Sequence, residues 1–201
     1  MNPSLIPSRA VLGFALVFSL LLSVLQAFQE HLLYRRELVL AGEAWRLLTA
    51  NLVHTNANHL ALNLAGLWTF ILLTGTVLNL KILNFSIMFT GLFITTALFL
   101  FHPSIQWYVG FSGILYGLFI IGGVLLALNK EWLTCIALLV LIALRLGISG
   151  LDNTDLSTTQ LINAPVLIEA HLYGALGGLI CGLTIIYAHW QAGKNHAKLF
   201  K

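Results

Sequence analysis

Between Arg46 and Lys130 the chain carries a single charged side chain, Lys81. A water-soluble fold spreads charge over its surface, at roughly a quarter of all positions. Here charged residues make up 8% of the 201 residues and hydrophobic ones 59%. Long runs of this kind place their side chains against lipid, so the expected class is an all-α, polytopic membrane protein. Each crossing takes about 20 apolar residues. Six fit, at residues 10–28, 59–80, 82–101, 112–128, 132–148 and 166–190. The expectation is one membrane domain over residues 1–201, with short loops and no room for a separate soluble domain.

The first apolar run follows Pro3, Pro7 and Arg9. It is longer than the core of a signal peptide and no A-x-A site follows it, so it reads as a retained anchor. Residues 29–58, with Arg35, Arg36, Glu37, Glu43, Trp45 and Arg46, are too amphipathic to span and are expected to lie in the interface. His102-Pro103 ends the third helix. Trp107 and Tyr108 in the loop beyond suit the headgroup level. A polar loop is expected over 149–165, carrying Asp152 and Asp155.

With six spans, Arg9, Lys81, Lys130 and the tail lysines 194, 198 and 201 fall on one side. The positive-inside rule makes that side cytoplasmic, with both termini on it and Ser112 and His171 near the outer face. The formal charge of +3 does not point to nucleic acid, because the basic residues mark helix ends and form no reading surface. Cys135 and Cys181 sit in apolar runs and read as buried side chains, not a disulfide framework.

Three groups of polar residues interrupt the apolar pattern. The first is Gly110-Phe111-Ser112-Gly113, a serine at a helix start flanked by glycines that allow a sharp turn and close approach. Alone it is a weak signal, since such a serine is commonly an N-cap or a packing site. The second is His171, an ionisable group inside the sixth span, where its cost makes function the default reading. Gly174, Gly178 and Gly182 follow it at four-residue spacing, and Gly113 and Gly117 match them on the serine helix. Packing these two ridges would bring Ser112 to His171, with Tyr116 one turn below to hold the ring. Glu169, two residues from His171, points elsewhere and is not a candidate triad acid. The third is His59 with Asn63, spaced i, i+4 on one face. Both can donate hydrogen bonds to a developing oxyanion, or they can serve as polar glue between helices. His54 and Asn58 read as braces for the first loop. No Cys, Asp or Glu completes a tetrahedral set with His54, His59 and His171, so no metal and no cofactor is expected.

These residues resemble, over nearly the whole chain, the rhomboid intramembrane serine proteases. The resemblance rests on Trp45-Arg46, His54, His59-Leu60-Ala61-Leu62-Asn63, Gly110-Phe111-Ser112-Gly113 with Tyr116, and Ala170-His171 with Gly174, in that order on helices two, four and six. It implies Ser112 as nucleophile, His171 as general base, His59 and Asn63 as oxyanion donors and Tyr116 stacked on His171, with Trp45-Arg46 shaping a membrane-embedded first loop. The implied substrate is a transmembrane protein, cleaved within the lipid bilayer. Ala50 stands where some bacterial relatives carry another histidine. The compact form and the stretch Gly42 to Thr49 resemble the rhombosortase branch, which implies a bacterial inner membrane and cleavage near glycine-rich C-terminal sorting tails. Two other readings compete: an inactive rhomboid-like protein that binds client spans, and a small transporter, which would need a polar path across the bilayer.

Overall fold

The computed structural model describes residues 6–151 and 156–198. Asp152, Asp155 and Lys201 lie outside them. Six long helices carry the fold: α1 Arg9–Leu25, α2 Ala57–Thr74, α3 Leu80–Phe101, α4 Ser112–Leu128, α5 Trp132–Leu151 and α6 Ile168–Lys198. Four segments are long and apolar enough to cross a membrane: Arg9–Leu32, Ala57–Thr74, Leu80–Phe101 and Ile168–Ala192. The apolar helices Ser112–Leu128 and Trp132–Leu144 are shorter.

Short polar side chains start several of these helices by accepting otherwise orphaned backbone N–H groups. Ser8 accepts from Val11 N–H at 3.3 Å, Asn56 from His59 N–H at 3.0 Å and Asn79 from Lys81 N–H at 2.8 Å. The Asn79 cap moves the second turn away from its expected place. α2 ends at Thr74 and α3 begins at Leu80, so Lys81 lies in the first turn of α3 and not between the helices. α3 stops at Phe101, with His102 as its C-cap and Pro103 following.

The core is apolar, but so is much of the outer surface. Large apolar side chains such as Val17, Phe85, Leu133 and Leu183 face outward, while Arg46, Asn51, His54, His59, Asn63, Thr90 and His171 are buried. Such a surface suits a hydrocarbon solvent, and polar groups inside it need partners in the protein.

The first loop is braced from several sides. It forms short helices at Gln29–Leu32, Arg36–Leu40 and Arg46–Thr49, and its strand β1, Tyr34–Arg35, pairs antiparallel with β2, Trp107–Tyr108. Buried Arg46 is the hub. It pairs with Glu43 at 2.6 Å and donates to the carbonyls of Glu30 at 3.1 Å and Leu33 at 2.7 Å. Arg36 reaches the Phe99 carbonyl at 2.8 Å, and Thr95 bonds the Leu47 carbonyl, so the loop is fastened to α3.

The most extensive helix pairing is α4 with α6. A Cβ on Gly113 would lie 2.8 Å from the Ala170 carbonyl, and one on Gly117 would lie 2.7 Å from that of Gly174. Cβ atoms on Gly174 and Gly178 would overlap the backbones of Gly113 and Gly117. Further down, Gly182 meets the side chain of Val124 and not a backbone. α5 leans mainly on α4 and only slightly on α6. The expected loop over 149–165 contains a short helix, Leu156–Ile162, and α6 begins at Ile168, not at residue 166.

Candidate active site

The α4–α6 contact sets the site. Phe111 occupies the N-cap position of α4 without a side-chain cap bond, so Ser112 is the first helical residue and does not cap the helix. Its hydroxyl instead meets His171, with Oγ 2.8 Å from Nε2. The Tyr116 ring lies over the imidazole, 4.6 Å between centroids and tilted by 34°. Two residues beyond His171, Tyr173 Oη lies 2.9 Å from His102 Nε2 and ties this turn of α6 to the end of α3.

Gly110 makes room for the third group. Its φ is +130°, and a Cβ there would lie 2.9 Å from Cε1 and 3.1 Å from Nε2 of His59. That same point is 3.9 Å from Ser112 Oγ, so the Nε2 edge of His59 and the serine hydroxyl flank the same glycine. The turn is held by Gly110 N–H donating to the Ala50 carbonyl at 3.1 Å and by Tyr108 O–H donating to the Gly110 carbonyl at 2.8 Å. Burial pushes the Tyr108 hydroxyl well above its ordinary pKa, so it remains a donor.

His59 Nδ1 lies 3.1 Å from Thr55 Oγ1 and 3.5 Å from Thr55 N. A backbone N–H can only donate, which makes Nδ1 the acceptor and places the ring proton on Nε2, beside Ser112. Asn63 donates one amide hydrogen to the His59 carbonyl at 3.1 Å, which leaves its second hydrogen for other use. The N–H of Ser112, in the first turn of α4, has no intrahelical acceptor.

These groups face a cavity of about 870 Å³. Leu62 and Gly66 of α2 line one wall and Leu141 and Ile142 of α5 another, with Leu161 and Ile162 of the short helix among the lining residues. Asn58 does not brace the first loop. It donates to the Leu161 carbonyl at 3.0 Å, and Asn56 bonds the carbonyl of Ile162. His54, in contrast, stays in the first loop, buried and bonded to Gln26. Burial, with a smaller effect of nearby His59, pushes its pKa down to about 3. Among the described residues, no three His, Cys, Asp or Glu side chains gather into a group able to hold a metal ion.

Gln26, Thr55 and Asn56 were not singled out in the sequence, and Tyr108 only as an aromatic suited to the headgroup level. Only Asn56 carries a local signal there, as an Asn directly before a helical apolar run. The others act through contacts that no short motif encodes.

No curated protein matches the sequence. A family model described as the rhomboid domain matches residues 41–188, the stretch that holds Arg46, His59, Asn63, Ser112 and His171. Members of this family are generally serine proteases that act on membrane proteins within the bilayer. The chain is thus a multi-pass membrane protein that belongs to the rhomboid family.

Proposed function

We propose that the chain is an intramembrane serine endopeptidase working through a Ser112–His171 dyad. The observation that carries this reading is the 2.8 Å contact between Ser112 Oγ and His171 Nε2 at the wall of a cavity that His59 and Asn63 also line. His171 Nε2 takes the hydroxyl proton as Oγ attacks the scissile carbonyl carbon. The oxyanion receives hydrogen bonds from His59 Nε2–H, the second Asn63 amide hydrogen and Ser112 N–H, each worth about 3–4 kcal/mol of barrier. His171 then protonates the leaving amine and gives an acyl-enzyme. Water attacks that ester as His171 takes its proton, and His171 then returns that proton to Ser112 Oγ as the bond to the carboxyl product breaks.

The same reading has six crossings. α4, with 17 residues, extends about 26 Å at 1.5 Å per residue, close to the hydrocarbon thickness. The distribution of Arg9, Lys81 and Lys130 supports cytoplasmic termini and a cavity open to the outside of a bacterial inner membrane. A transmembrane substrate would unwind at a glycine-rich stretch and reach Ser112 between α2 and α5, or from the outer face. The rhombosortase-like stretch Gly42 to Thr49 favours C-terminal sorting tails as that substrate.

A client-binding pseudoprotease is the competing reading, and it gives Ser112 and His171 no reason to meet. Labelling with a serine-reactive fluorophosphonate separates the two. Equal labelling of wild type, Ser112→Ala and His171→Ala would sink the protease. For the branch, co-expression with a glycine-rich C-terminal tail fusion should yield a shortened product. An intact fusion beside cleavage of another membrane protein rejects rhombosortase alone.

A further inference from the structure

Just past α1, the side-chain amide of Gln26 grips His54 at two points. Oε1 accepts from His54 N–H at 3.1 Å, and Nε2 lies 2.9 Å from His54 Nδ1. The backbone N–H can only donate, so the amide has one permitted orientation, with its oxygen on that hydrogen. The amide NH₂ therefore donates to Nδ1. That nitrogen carries a lone pair, and the His54 proton sits on Nε2.

His54 is 1% exposed, and its ring stands perpendicular to that of His59, at 88° with 5.0 Å between centroids. His59 is thus bounded by the His54 ring, by the backbone of Gly110 and, at Nδ1, by Thr55. The chain neighbours of the pair, Leu25 and Val53, pack in one apolar cluster with Leu33 and Val109. Losing the Gln26 amide would strip two buried polar atoms of their partner and admit a second tautomer.

We infer that Gln26 is a positioning residue: by locking the tautomer and ring plane of His54, it keeps His59 presenting Nε2–H beside Ser112. The inference rests on the reading of His59 as an oxyanion donor.

Two variants test it. Gln26→Leu removes both bonds at similar volume. Gln26→Glu keeps an acceptor for His54 N–H, which guards against a folding defect, but cannot donate to Nδ1 and draws a proton onto it. Both should lower kcat by roughly 10- to 100-fold, the scale of a small misplacement, while KM stays within about twofold. Nitrogen NMR of labelled histidines, with His54 assigned by substitution, should show Nδ1 bare and Nε2 protonated in wild type, and Nδ1 protonated in Gln26→Glu. A proton on Nδ1 in wild type overturns the inference. So does wild-type kcat in both variants while Ser112→Ala is inactive. Cleavage surviving in Ser112→Ala would instead overturn the protease reading, and the inference with it.

Discussion

The backbone of Gly174 rests directly on that of Gly113, one residue from Ser112 and three from His171. This contact sets the spacing of the 2.8 Å serine–histidine pair. Any side chain at either glycine has to move a helix backbone, and the dyad moves with it.

Gly174→Ala should therefore lower thermal stability by about 1–3 kcal/mol, as overpacking does, and lower activity more than stability. Gly13→Ala is the control, because nothing lies within 4 Å of a Cβ there. It should leave the melting temperature in detergent unchanged or slightly raised, since alanine favours a helix. Equal melting temperatures and activities for the two variants would refute the backbone contact.

Ser112→Ala and His171→Ala should each reduce cleavage by more than about 10³-fold, and the double variant should be no worse than either, because the two residues act as a unit. Cleavage of a membrane-tethered reporter measures it. Additive losses would mean that the residues act independently.

Asn58 fastens the short helix Leu156–Ile162 over the cavity without touching the dyad. Asn58→Ala should loosen that helix, seen as faster amide exchange across 158–164, while labelling of Ser112 by fluorophosphonate stays the same or speeds up. Asn56→Ala should slow labelling, since Asn56 also caps α2 at His59 N–H. Matching behaviour of the two variants would contradict the division of roles.

His54 gives the fold a pH dependence of definite sign. Its folded pKa, about 3, lies below the ordinary 6.5, so between these values the unfolded chain binds the extra proton. Stability from this group is complete above pH 6.5 and falls on acidification toward pH 3, by up to about 1.4 kcal/mol per unit. Thermal unfolding between pH 7 and 4 should show the loss, and His54→Gln should flatten it. An unchanged slope in that variant would place the acid sensitivity elsewhere.

How far the sequence could be read depends on the range of each interaction. Ser112, His171, His59 and Asn63 were legible because glycine flanks, an ionisable group in an apolar run and i, i+4 spacing are local signals. The α4–α6 pairing was legible from the glycine ridges, but only as far as Gly178, because whether Gly182 faces glycine or Val124 depends on the crossing of two helices. Turn positions were less secure. Asn79 competes as a cap with the charge of Lys81, and the cap sets where α3 begins.

Residue order alone determined the lipid-facing class, the approximate apolar segments and the candidate site residues, since each follows from composition and periodicity within about 20 residues. Tertiary structure decided the tautomers of His54 and His59, the hub role of Arg46, the pairing of Tyr34–Arg35 with Trp107–Tyr108 and the fastening of residues 161 and 162 to Asn58 and Asn56. The physical reason is common to all of them. Gln26 and His54 are 28 positions apart, and Asn58 and Leu161 are 103 apart. A hydrogen bond is specific only within about 3.5 Å, and no local pattern encodes which distant groups the packed helices will bring that close.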